Sequence, residues 1–122
     1  MRPSQGVHLV FPRSVVPGDS ALMVPHTDDG RVLFAIPWHG RSVIGTTDTP
    51  IDEVPLEPRA MDDEIDFILE NASRYLAHEL SREEVLSVFA GIRPLIGAPE
   101  DDGGTASISR DFSIHISDSG LL

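Results

Sequence analysis

An α+β fold with a mainly antiparallel sheet is predicted by the way the elements are grouped along the chain. Segments of alternating apolar residues run together before residue 50, joined by strong turn signals, and two more follow residue 85. Between them lies one long apolar stripe at helical spacing, then a capped short helix. Both helices are expected to pack on one face of the sheet, within a single domain spanning residues 1–122.

Gly6 to Phe11 reads as the first strand, closed by Pro12. Val7, Leu9 and Phe11 fall on one face, His8 and Val10 on the other. A lone histidine on a strand is more often a hydrogen-bonded structural residue than a catalyst, and the residues alone favour that reading of His8. Val15 to Asp19 carries a Pro-Gly turn signal, Ala21 to Pro25 is a short strand, and Asp28-Asp29-Gly30 marks a hairpin turn. Arg31 to Trp38 returns with Val32, Phe34 and Ile36 on one side and Arg31, Leu33 and Ala35 on the other. His39-Gly40 turns the chain again, and Arg41 to Thr46 completes a meander. His26 and His39, in or beside turns, are expected to be exposed. Gly45-Thr46-Thr47-Asp48-Thr49-Pro50 reads first as an Asx or Thr turn closing a hairpin.

The proline-bearing stretch Ile51 to Arg59 is an extended linker. Met61 to Leu80 is the clearest helix, with Ile65, Ile68, Leu69, Ala72, Leu76 and Leu80 forming its apolar stripe and Tyr75 a possible extension of it. Asp62, Asp63, Glu64 and Asp66 crowd the first turn, where negative charge complements the helix dipole. They read as a solvated helix start rather than a catalytic carboxylate pair. Ser81-Arg82-Glu83-Glu84 fits a capping box. Val85 to Leu95 is a strand, Gly97 to Thr105 an acidic loop, and Ala106 to Ile116 the returning strand.

Composition narrows the function classes. The chain has 122 residues, 40% of them hydrophobic, enough for one core. It has no Cys, so disulfides and thiolate metal sites are excluded, and with no His-x-x-x-His helix spacing no metal site is expected. No run approaches the roughly 20 apolar residues of a membrane span, and the composition fits a cytoplasmic protein. The net charge is −11, which disfavours nucleic acid as a partner. An anion site must therefore be local, built against a repulsive background.

Two arginines in apolar stretches suggest such a site. Arg93 stands between Ile92 and Leu95 in Ala90-Gly91-Ile92-Arg93-Pro94-Leu95. A guanidinium there needs an anionic partner, either an internal carboxylate or a bound anion. Arg110 interrupts the apolar face of the returning strand made by Ile108, Phe112, Ile114 and Ile116. If the two strands form a hairpin, two guanidinium forks converge, an arrangement suited to phosphate or carboxylate.

These motifs resemble the flavin-dependent glycerol-3-phosphate dehydrogenases. The resemblance rests on Gly6-Val7-His8-Leu9-Val10, on Ile36-Pro37-Trp38 followed by Ile44-Gly45-Thr46-Thr47-Asp48, on the Arg93 segment, and on Ile108-Ser109-Arg110-Asp111-Phe112, all in the family's order. No Gly-x-Gly-x-x-Gly fingerprint follows a strand, and the chain stops before the family's Gly-Gly-Lys-x-Thr-Thr segment. The resemblance thus implies an excised substrate domain of the flavin-dependent oxidase superfamily, without its FAD-binding domain and inactive alone.

The implied parent oxidises sn-glycerol 3-phosphate to dihydroxyacetone phosphate with FAD and passes electrons to quinone, as a cytoplasmic enzyme peripheral on the inner face of the cell membrane. The resemblance makes His8 and Arg93 the catalytic candidates and Arg93 and Arg110 the substrate-binding ones. It also makes Thr47 and Asp48 candidates for a loop at the flavin edge. Two other readings stand beside it: an amine or amino-acid oxidase of the same superfamily, which needs one carboxylate clamp, and a non-enzymatic binding module. Removing a partner domain leaves sheet edges exposed, so self-association is expected.

Overall fold

The computed structural model describes residues 2–96, 108 and 114–121. Among these residues six strands form one sheet, and every pairing between them is antiparallel. β1 (Arg2–Pro12) is its axis. On one side β1 pairs with β4 (Arg41–Gly45) and, further along, with the two-residue β5 (Thr49–Pro50). On its other side lies β6 (Ser87–Leu95), in register from Arg2↔Leu95 to Val10↔Ser87. β2 (Leu22–Val24) and β3 (Leu33–Trp38) extend the sheet beyond β4. Among the described residues β6 has no partner beyond β1, which suits Pro94, whose missing N–H is tolerated at a sheet edge.

The alternation read along β1 and β3 is the alternation found. Val7, Leu9 and Phe11 are fully buried, as are Leu33 and Ala35, and they meet Ile68, Leu69 and Ala72 of the α-helix α1 (Asp62–Ser73). The opposite residues, Phe34, Ile36 and Trp38, remain exposed. One face of the sheet is therefore covered by helix, and the other is apolar and open. The β3–β4 turn is made by His39 and Gly40, both at positive φ, and His26 and His39 are exposed as expected.

Several expectations need correction. The helix ends at Ser73, not Leu80. The Ser73 hydroxyl donates to Leu69 O at 2.6 Å and accepts from Leu80 N at 2.8 Å, closing a loop that folds Leu80 back into the core. Helical spacing of the stripe thus recorded burial, not continued helix. Tyr75 does not extend the buried face; it is exposed, and its hydroxyl donates to His26 O.

The acidic helix start is not wholly solvated. Asp62, Asp63 and Asp66 are exposed, but Glu64 is only 4% exposed. Finally, residues 46–48 do not close a hairpin, because the chain continues along the same edge of β1 into β5.

The short 3-10 turn at Arg82–Glu84 carries the expected cap, with Ser81 N donating to Glu84 Oε2 at 3.0 Å. Arg82 ties it to Asp62 and Asp66 of α1. Of the expected return strand, Ile114 and Ile116 lie in no strand and are exposed. Arg110 and its hairpin with the Arg93 strand lie outside the described residues. No helix among those described is long and apolar enough to cross a membrane.

Candidate functional site

The open face carries its polar groups along β1. His8 pairs with Phe89 of β6 on one side and with Gly45 of β4 on the other. The imidazole stacks on the Phe89 ring, with centroids 5.0 Å apart and planes 7° from parallel. It lies across Gly45, where a Cβ would stand 2.4 Å from His8 Cδ2, so only glycine leaves room for the ring. Burial, and then the positive charge of Arg93, hold His8 below the ordinary imidazole value of 6.5. The ring is consequently neutral near pH 7 and able to accept a proton.

Arg93 comes from β6 opposite Ser4 and reaches over Gly6, where a Cβ would meet its Nη2 at 2.3 Å. Two glycines of β1 and β4 thus make space for the two functional candidates. The guanidinium is seated by residues 46–48: Arg93 Nη1 donates to Thr47 O at 3.2 Å and Nη2 to Thr46 Oγ1 at 3.1 Å. Its carboxylate partner is Asp48, with Nη1 3.6 Å from Oδ1. The internal-partner reading of Arg93 is met, yet its side chain stays 28% exposed beside His8.

The loop that seats Arg93 is a bulge. Between the His8↔Gly45 and Gln5↔Thr49 pairs, β1 supplies two residues and the facing strand three. The extra residue breaks the ladder, and the Thr47 hydroxyl takes its place, accepting from Val7 N at 3.0 Å. That leaves Thr47 O for Arg93. Thr47 and Asp48 are both 4% exposed, and their side chains turn inward. Ser4 donates to Asp48 Oδ1.

Glu64 locks the bulge from the helix side. It accepts from Thr47 Oγ1 (3.0 Å), Thr49 Oγ1 (2.6 Å), Gln5 Nε2 (2.7 Å) and Met61 N (2.9 Å). Replacing Glu64 by Ala would leave several buried donors unsatisfied, at about 1–3 kcal/mol for each fully orphaned group. Denaturant unfolding of the chain should show a loss of at least about 3 kcal/mol.

Sequence reasoning missed Glu64, Ser4, Thr46 and Arg31. A signal existed for two of them. Glu64 stands four residues before Ile68 on the buried helix stripe, and Arg31 shares its strand face with Leu33 and Ala35. A charge on a buried face implies a partner waiting there. His8, Arg93, Thr47 and Asp48 are brought together as one cluster.

Beside the cluster runs an apolar groove of about 510 Å³, lined by His8, Val10, Ile36, Trp38, Val43 and Phe89 among others. A second cleft of about 310 Å³ borders Arg93, Arg31 and residues 46–48. An apolar floor with a few converging polar groups is the usual make-up of a small-molecule site.

Comparison with known proteins gives consistent matches. Residues 1–119 match the family model described as FAD-dependent oxidoreductase. The mitochondrial glycerol-3-phosphate dehydrogenase of Mus musculus is 44% identical over 99% of this chain and 17% of its own length. That of Schizosaccharomyces pombe is 40% identical over 98% of this chain and 20% of its own. Among solved structures, the glycerol-3-phosphate dehydrogenase from Bacillus halodurans complexed with FAD superposes with a TM-score of 0.67 at 40% identity, covering 75% of this chain and 19% of that one. The chain therefore spans about a fifth of the relatives it matches.

Proposed function

Since the chain belongs to the FAD-dependent oxidoreductase family, we propose that it is the substrate domain, residues 1–122, of an enzyme oxidising sn-glycerol 3-phosphate to dihydroxyacetone phosphate. The observation that carries the reading is His8, stacked on Phe89 and held below the ordinary imidazole value, beside the seated Arg93 on an open apolar face. A neutral base next to a fixed cation suits removal of a hydroxyl proton and stabilisation of the charge left on oxygen.

The apolar groove suits FAD: Trp38, Ile36, Val10 and Phe89 would cover a planar conjugated ring, with His8 beside them. When bound, FAD supplies the acceptor for the hydride leaving the substrate's secondary carbon. His8 accepts the proton of the hydroxyl on that carbon. Arg93 orients the oxygen and stabilises its developing negative charge, and Arg110 holds the phosphate. Loss of one proton and one hydride from the C–OH group leaves the ketone.

In this reading the open face packs against the FAD-binding domain, and the short 3-10 turn shares the helix-covered side. Thr47 and Asp48 line the flavin edge through their backbone. Quinone is the final electron acceptor of a cytoplasmic enzyme held at the inner face of the membrane.

Two measurements test the reading. Anaerobic mixing of the flavin-loaded full-length enzyme with sn-glycerol 3-phosphate should bleach the oxidised flavin's visible absorption, while glycerol should not. Bleaching by an amino acid or amine, with none by the phosphate ester, would establish the oxidase alternative instead. The open face and the β6 edge should also make the isolated chain self-associate. Its sedimentation coefficient should rise with concentration, and a constant monomer value would refute this part.

A further inference from the structure

We infer that Arg31 is a positioning residue for Arg93, acting through Asp48. The inference rests on the role proposed above for Arg93. Arg31 precedes β3, and its backbone is fixed by the turn before it: Arg31 N donates to Asp29 Oδ1 at 3.1 Å and Arg31 O accepts from Thr27 Oγ1 at 2.6 Å. From there its Nη1 donates to Asp48 O at 2.7 Å and lies 3.9 Å from Asp48 Oδ2. Arg93 approaches the other carboxylate oxygen at 3.6 Å. Two guanidiniums from distant parts of the chain thus share one buried carboxylate, and both border the cleft of about 310 Å³. The contact of Arg31 with Asp29 at 3.3 Å is a partly exposed ion pair of the kind that contributes little.

Charge explains why the second arginine matters. Arg93 and Asp48 alone form a neutral pair, whose field toward the open face largely cancels. Arg31 draws on the same carboxylate, so Asp48 offsets the Arg93 charge less than it would alone, and Arg93 keeps attraction for developing negative charge. Arg31 also holds the backbone at Asp48, next to the Thr47 carbonyl that seats Arg93.

The test is a mutant cycle in the FAD-loaded full-length enzyme, reading kcat/KM for sn-glycerol 3-phosphate alongside flavin content. R31Q should lose about tenfold or more with flavin content unchanged, as a displaced catalytic group does. R31K, which restores the charge, should recover most of that loss. Combined with R93Q, R31Q should add almost nothing, because it acts through a group already removed. Wild-type activity in R31Q, or losses that multiply in the double variant, would overturn the inference. Should R31Q fail to bind flavin, R31M, which keeps the aliphatic stem, is judged by the same cycle. If R93Q itself has wild-type activity, the proposed role of Arg93 fails and the inference falls with it. A damaging R93Q with a silent R31Q refutes the inference alone.

Discussion

Replacing Arg93 by Gln in the flavin-loaded enzyme is expected to lower kcat/KM for sn-glycerol 3-phosphate by about 10²- to 10³-fold, the usual loss when a donor aimed at developing oxygen charge is removed. The guanidinium is held before substrate arrives by Thr46 Oγ1, Thr47 O and Asp48. It therefore spends little reorganisation energy during reaction. Gln keeps much of the shape and a donor but removes the charge, so the loss reports electrostatics more than packing. The substitution has a second signature. The Arg93 charge is one of the two causes that lower the His8 pKa. Without it the imidazole takes up its proton at higher pH, and the acid limb of the kcat/KM profile should move upward. A profile that stays in place would show that the two groups do not interact.

His8→Gln is expected to reduce kcat by about 10²- to 10⁴-fold, the range for loss of a general base, with a smaller effect on KM. In the unaltered enzyme His8 must be neutral to act. Its pKa lies below 6.5, so activity persists as the pH falls to that value and declines only beneath it. The variant should lose that decline along with its rate. Retention of the acid limb in His8→Gln would assign the titrating base to another residue. Both variants should be compared at matched flavin content, because Gln in place of the ring also removes the stack on Phe89.

The sheet was legible wherever a strand buries one face. Val7, Leu9 and Phe11, and again Leu33 and Ala35, alternate in sequence and are buried in the structure, because period two leaves a buried strand no other register. Turn chemistry was legible at His39-Gly40, where two residues at positive φ join β3 to β4.

The helix end was not, because no glycine or proline marks it. A serine hydroxyl and a folded-back leucine produce it, and both depend on tertiary packing. At the site, the two glycines that admit His8 and Arg93 act across strands, so their purpose is invisible until pairing is known. The bulge at residues 46–48 read as a turn for the same reason. Thr and Asp suit turns, and only the register of β5 against β1 shows the chain running straight on. His8 read as structural from its surroundings, and its neighbour Arg93 lies 85 residues away in the chain.

His8 and Arg93 are proposed to form one half of a substrate pocket completed by the FAD-binding domain. A crystal structure of the flavin-loaded full-length enzyme with dihydroxyacetone phosphate tests it most directly. The carbonyl oxygen on C2 is expected within about 3.2 Å of both the Arg93 guanidinium and the His8 imidazole, with the open face of β1, β3 and β6 covered. A ligand bound elsewhere, with that face turned to solvent and Arg93 held only by Thr46, Thr47 and Asp48, would contradict it.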